Sequence, residues 1–327
     1  MKVPKKGTLT AGVLGFTLLV ASGLSASSYR RDIRAIRERI DSLGSQILET
    51  DCGTVEYARV GSGYPVLVIH GNAGGFDQGL GLAQGYLGSG FQIIAPSRFG
   101  YLRSPIPADA TPARQADAYA CLLDALGIER VAILTSSAGV TSSVQFALRY
   151  PKRVSAMVLH SPNAPGKEGL VPPPKAVFKL MLSSDYAWWA LNTYFGSRMQ
   201  SFVGVPAGFS LTPEYQAEVR AALVGTLPVS ARADGMIFDT YVSNPEINQY
   251  PLGEVDTPTL VISAVDDPMA LHENARTLAD QIPNAQLMAV PDGGHLLLGH
   301  TEDVRAEVTR FLRSQISQIQ NSQQDEQ

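Results

Sequence analysis

Unbroken apolar runs recur along the chain, and each stops at a cluster of small or polar residues. Val66–Ile69, Val131–Leu134, Ala156–His160 and Thr259–Ser263 lack the alternation of a half-exposed strand. Each therefore predicts a strand covered on both faces. Val55–Val60, Gln92–Ala95 and Leu287–Val290 complete the predicted strands. Helical spacing fills most of the intervals, as in Pro112–Leu126 and Val140–Tyr150. This alternation predicts an α/β fold, a mostly parallel, doubly wound sheet with helices on both faces. Between His160 and Gly253 the alternation stops. Pro162, Pro165, Pro172, Pro173 and Pro174 open that region, and helices are predicted over Lys175–Leu182, Tyr186–Phe195, Pro213–Leu223 and Val229–Tyr241. Residues 163–250 thus read as a helical insertion in a core of 51–162 and 251–315, with a polar, frayed tail at 316–327.

The N-terminus has a different pattern. Lys2, Lys5 and Lys6 precede an uncharged stretch from Gly7 to Tyr29, whose strongly apolar part is Ala11–Leu24. Residues 1–28 fit either a signal peptide or an uncleaved membrane anchor. Arg30, Arg31, Arg34, Arg37 and Arg39 follow, with Ile33, Ile36, Ile40 and Leu43 at helical spacing. Residues 29–50 are accordingly expected to be a basic helical lead-in. Either fate of the leader implies export to the envelope or medium, or attachment to a membrane through the N-terminus.

The strand tips carry the candidate chemistry. Val131–Leu134 leads into Thr135, Ser136, Ser137, Ala138 and Gly139, all small, and then a helix. A serine on a tight strand-to-helix turn needs small neighbours two positions away on each side. Ser137 meets that condition with Thr135 and Gly139, whereas Ser136 would place Leu134 there. The strand Val66–Ile69 ends in His70-Gly71-Asn72-Ala73-Gly74-Gly75. Glycines let such a loop present backbone N–H groups to a ligand, and the amides of Asn72 and Ala138 are the expected oxyanion donors. Thr259–Ser263 leads to Asp266-Asp267-Pro268. Asp267 is the expected partner of a catalytic histidine, with Asp266 in reserve and one of the two expected to cap the following helix. The last strand leads through Gly293 and Gly294 to His295, the expected general base. His70, Gly71 and His160 are further pocket candidates.

Ser137, Asp267 and His295 occur in the chain order that sets one class of serine hydrolases apart from two others. On these residues, the chain from about Cys52 to Leu312 resembles the α/β-hydrolase superfamily, in its capped serine-hydrolase branch. The resemblance implies a nucleophile elbow at Ser137, an acyl-enzyme and a cap over residues 163–250. The segment Ile93-Ile-Ala-Pro-Ser97-Arg98-Phe99-Gly100 also fits that family, which usually has Asp where this chain has Ser97. Thr135 and Val140 stand where the family usually has glycine. The implied reaction is hydrolysis of a carboxylic ester or lactone of a medium-sized apolar small molecule. Carbon–carbon bond hydrolysis with the same triad is the alternative, and a non-catalytic, envelope-tethered binding module is a reading of a different class. Trp188 and Trp189 are adjacent on a predicted helix and cannot share one face, so at least one is expected to turn toward the cleft or solvent.

Composition narrows the partners. The chain has 327 residues, 17% of them charged, and a net charge of −4, which speaks against a nucleic-acid partner. No His/Cys/Asp set has ligand spacing, so neither a metal nor an organic cofactor is implied. Cys52 and Cys121 are expected to stay unbonded and buried, because they fall on elements that the strand pattern places apart.

Overall fold

The computed structural model describes residues 25–166 and 172–325. The expected leader therefore lies almost wholly outside the described residues. Among the described residues no helix is long and apolar enough to cross a membrane. Residues 25–42 form helix α1 within a compact unit of their own, with the isoleucines on one face and most arginines elsewhere.

Leu43–Gln327 form the second unit. Its strands are β1 (Gln46–Thr50), β2 (Gly53–Gly61), β3 (Tyr64–Ile69), β4 (Phe91–Pro96), β5 (Val131–Ser136), β6 (Val154–His160), β7 (Thr259–Ala264) and β8 (Ala285–Val290). They form one eight-stranded sheet in the order β1-β2-β4-β3-β5-β6-β7-β8. β1 and β2 pair antiparallel, β2 pairs antiparallel with β4, and every other pairing is parallel. The predicted α/β class holds, with one strand more than the sequence pattern indicated. β1 falls inside the expected helical lead-in. It is a short, mostly exposed edge strand whose sequence, QILET, carries no buried run.

Period-two alternation sends the two faces of each strand into different layers. Leu67 and Ile69 of β3 join Ile133, Met157, Leu159 and Val261 in one cluster with residues of α3 (Pro112–Ala125), α4 (Gly139–Arg149) and α10 (His272–Gln281). The other face packs against α2 (Phe76–Tyr86) and α11 (Thr301–Asp325). Thr111 begins α3 by accepting a hydrogen bond from the Arg114 N–H, with Pro112 in the first turn. The tail expected to fray from 316 instead continues α11 to Asp325.

The region between β6 and β7 holds α5 (Lys175–Met181), α6 (Asp185–Met199), α7 (Pro213–Gly225), α8 (Ala233–Phe238) and α9 (Asn244–Glu246). A wide helical turn, Asp239–Ser243, joins the last two.

Cys52 and Cys121 form a disulfide, contrary to the expectation of two thiols. The antiparallel hairpin sits at the sheet edge, and α3 crosses both of its strands. That crossing brings the turn residue Cys52 to a Cα–Cα distance of 6.0 Å from Cys121, within the ordinary span of a bridge.

Candidate active site

Parallel strands align their carboxyl ends, so the tips of β3, β5, β6, β7 and β8 share one rim. Ser137 stands between β5 and α4 with φ at 50°, a left-handed conformation that a serine adopts only under constraint. Its N–H donates to the His160 carbonyl at 3.0 Å, and its own carbonyl accepts from the N–H groups of Val140 and Asn163, each at 3.1 Å. Small neighbours make this turn possible. A Cβ at Gly139 would stand 2.5 Å from the His70 oxygen and 2.7 Å from Thr135 Oγ1. Gly71 backs the turn, since a Cβ there would meet Ser137 Cβ at 3.1 Å. Thr135 is fully buried beneath the elbow, and its hydroxyl has no partner among the described residues. It fits because Gly139 leaves room for its side chain.

His295 lies in a single helical turn after β8, entered through Gly293 at φ 100° and Gly294 at φ 60°. Its N–H donates to the Gly204 carbonyl at 3.0 Å, and its carbonyl accepts from Ser161 Oγ at 2.9 Å. Nδ1 donates to Asp267 Oδ2 at 2.8 Å, which leaves Nε2 as the ring's acceptor. The Asp267 side chain is fully buried. Its second oxygen accepts from the N–H groups of Met269 and Ala270, at 2.8 and 2.9 Å. One residue thus both holds the histidine and closes the turn, where the sequence suggested dividing these tasks between two acids. Asp266 Oδ1 accepts from the Gly294 N–H at 2.9 Å and so braces the loop that carries His295. The helix begins only at His272. Among the described residues the Ser137 hydroxyl makes no hydrogen bond, to His295 or to any other group; such bonds are often long before substrate binds.

Neither the Asn72 nor the Ala138 N–H has an acceptor among the described residues, as oxyanion donors require. Asn72 Oδ1 accepts from the next backbone amide, that of Ala73, at 2.9 Å. His160 packs behind the rim. It is 4% exposed, its ring lies 4.6 Å from that of Tyr86, and burial, then the charge of His295, lowers its pKa to about 3. It is a buried ring kept neutral beside His295 and Asp267.

Three other candidates are buried. His70 is fully buried and hydrogen-bonded on both nitrogens within the loop framework. Trp188 is 4% exposed and Trp189 3% exposed, so neither turns outward. Trp188 Nε1 donates to Thr226 Oγ1 at 2.8 Å, its ring meets Phe202 edge-on, and the rings of Tyr186 and Tyr194 flank Trp189. Trp188 is thus met by residues from elsewhere in the insertion and Trp189 by tyrosines of its own helix, which the helical-face argument did not foresee.

Sequence reasoning also missed two buried ion pairs between the insertion and the core. Arg98, just after β4, meets Asp239 at 2.6 Å, and Arg232 meets Asp77 at 2.9 Å. Arg98 and Arg232 each also donate to a carbonyl of the glycine-rich loop, Gly71 and Gly74 respectively. Arg232 and Asp239 are seven residues apart in a mostly apolar stretch, a helical spacing that marks one face. Beside the His295 loop lies a cavity of about 650 Å³, lined in part by Phe209, Tyr215, Asp266, Asp292 and His300, but not by Ser137.

The sequence profile of the alpha/beta hydrolase fold matches residues 64–299. An uncharacterised hydrolase of Bacillus subtilis is 29% identical over 76% of this chain and 90% of its own length. A 2-hydroxy-6-oxononadienedioate/2-hydroxy-6-oxononatrienedioate hydrolase of Paraburkholderia xenovorans is 28% identical over 86% of this chain and 98% of its own. Among solved structures, an alpha/beta hydrolase fold protein from Nakamurella multipartita superposes with a TM-score of 0.64 at 27% identity, covering 83% of this chain and 99% of that one. The chain belongs to the alpha/beta hydrolase fold family and is a hydrolase of that fold.

Proposed function

We propose that the protein hydrolyses a carboxylic ester or lactone of a medium-sized apolar small molecule through Ser137, His295 and Asp267. The observation that carries this reading is the 2.8 Å bond from His295 to buried Asp267, formed across a rim from a serine held at φ 50°. His295 Nε2 takes the Ser137 proton as Oγ attacks the carbonyl carbon. Asp267 keeps the proton on Nδ1 and stabilises the imidazolium. The Asn72 and Ala138 amides receive the oxyanion. The tetrahedral adduct collapses, His295 protonates the departing alcohol, and water attacks the acyl-enzyme by the same route. The insertion acts as the cap that shapes the acyl site.

Carbon–carbon bond hydrolysis is the second reading, favoured by the Paraburkholderia relative, which is matched over nearly its whole length. The names of such relatives describe carboxylate substrates, which call for an available cation. Here the two arginines at the glycine-rich loop are neutralised by Asp239 and Asp77, which favours a neutral ester. Assaying p-nitrophenyl esters of graded chain length beside a dienoate ketone separates the readings. Ester turnover with no loss of the ketone chromophore is expected; the reverse result overturns the ester assignment.

The Cys52–Cys121 bridge supports export, because such bonds persist in oxidising compartments. Fractionation of cells expressing the full chain tests this; a wholly cytosolic, reduced protein refutes it.

A further inference from the structure

The Asn72 N–H and the Gly71 carbonyl belong to the same peptide unit. That unit is planar and trans, so the two groups point in opposite directions. Whatever grips the Gly71 oxygen therefore aims the Asn72 N–H. Two buried donors grip it, His70 Nδ1 at 2.7 Å and Arg98 Nη2 at 3.0 Å. The tautomer of His70 is set by its other nitrogen, since Nε2 accepts from the Arg98 N–H at 2.9 Å. Burial, then the charge of Arg98, holds the His70 pKa well below the usual histidine range, so the ring stays neutral and Nδ1 keeps its proton.

The guanidinium is in turn fixed from the insertion. Arg98 and Asp239 side chains are 2% and 0% exposed, and two hydrogen bonds of 2.6 Å join them. The Tyr101 hydroxyl reaches the same carboxylate, and Asn72 Oδ1 at 3.0 Å. Arg98 Nη2 is thus shared between Asp239 and Gly71. Arg232–Asp77 makes a second link between insertion and core, and Arg232 also donates to a carbonyl of the loop, but to that of Gly74, which is not part of the Gly71–Asn72 peptide. A charge-assisted hydrogen bond to a carbonyl also polarises its peptide and strengthens the N–H on the far side.

We propose that Arg98, anchored by Asp239, is a positioning residue for the oxyanion hole: it orients and polarises the Gly71–Asn72 peptide so that the Asn72 N–H faces the developing oxyanion. This rests on the serine-hydrolase reading above. The insertion then acts in catalysis without touching the reacting atoms, because its Asp239 sets the direction of an amide two hydrogen bonds away.

Two variants test it. Arg98→Lys keeps a charge for Asp239 but replaces the fork with a single nitrogen, which loses the simultaneous reach to Gly71. The pair Arg98→Gln with Asp239→Asn removes both charges, so neither is left buried and alone. Three quantities are measured on folded protein: kcat and KM on p-nitrophenyl butyrate, and inhibition by phenylboronic acid, whose serine adduct mimics the tetrahedral oxyanion. Loss of an oxyanion donor typically lowers kcat about 10²–10³-fold; misdirecting one is expected to lower it about 10–100-fold, to weaken boronate inhibition by a similar factor and to leave KM within about threefold. Wild-type Ser137 must also be labelled by a fluorophosphonate. A labelled wild type with a folded variant whose kcat and boronate inhibition are within twofold of wild type overturns the positioning role alone. An unlabelled wild type overturns the serine-hydrolase reading as well.

Discussion

Gly204 offers a test of how closely the insertion governs the histidine. It lies in the insertion at φ 74°, and its carbonyl receives the His295 N–H at 3.0 Å. A Cβ added there would stand 2.2 Å from His295 Cβ and 3.0 Å from Met269 Sδ. Carbon atoms rest about 3.5–4.0 Å apart, so either the histidine turn or the insertion must give way by more than about 1 Å. Misplacing a reacting group by about that distance costs on the order of a hundredfold in rate. The left-handed backbone adds about 1–2 kcal/mol against any side chain. Gly204→Ala is therefore expected to lower kcat about 100-fold and to lower the Tm by a few degrees. Gly81→Ala is the control: it lies in α2 with open space at the Cβ position, and it should be neutral or stabilising by up to about 1 kcal/mol. Initial rates on a p-nitrophenyl ester and thermal melts report both variants. A Gly204→Ala protein with wild-type kcat and Tm would refute the contact and the constraint it places on His295.

Asp267→Asn should lower kcat by on the order of 10⁴ by presenting the wrong group to His295 Nδ1. Asp266→Asn, which keeps an oxygen for the Gly294 N–H, should cost less than about tenfold; a larger effect from Asp266, with both proteins folded, would reverse the assignment. His160 has a pKa of about 3 in the folded chain against an ordinary value of 6.5. The unfolded chain thus binds a proton that the native state refuses, so stability is complete above about pH 6.5 and falls as pH drops toward 3. His160→Gln should flatten that loss by up to about 1.4 kcal/mol per pH unit; identical urea-melt profiles from pH 6.5 to 4 would contradict it. Cys52→Ser should lose about 4 kcal/mol, from the entropy of a loop spanning 69 residues. Its kcat should stay near wild type, because the bridge lies at the hairpin edge of the sheet rather than at the rim; an equal loss of kcat would refute that separation.

The sheet was legible because its central strands are buried on both faces and therefore written as unbroken apolar runs. Ser137 was legible because a tight elbow admits only small neighbours, and His295 because two glycines precede it. β1 was not, since an exposed edge strand of five residues has no core face to write a pattern. The disulfide was not, because it depends on which strand neighbours the hairpin, and strand order is absent from local periodicity. The burial of both tryptophans was not legible either: Trp188 meets residues from elsewhere in the insertion and Trp189 meets tyrosines of its own helix. The Arg98–Asp239 and Arg232–Asp77 pairs were hidden most deeply. Burial of a charge requires its partner, and each partner lies more than a hundred residues away.

The central claim is that Ser137 is a nucleophile activated by His295. Peptide mass mapping after reaction with a fluorophosphonate tests it most directly. One phosphonyl adduct on the peptide containing Ser137 is expected, absent from Ser137→Ala and strongly slowed in His295→Gln. No adduct on the folded wild type, or equal labelling of Ser137→Ala, would contradict it.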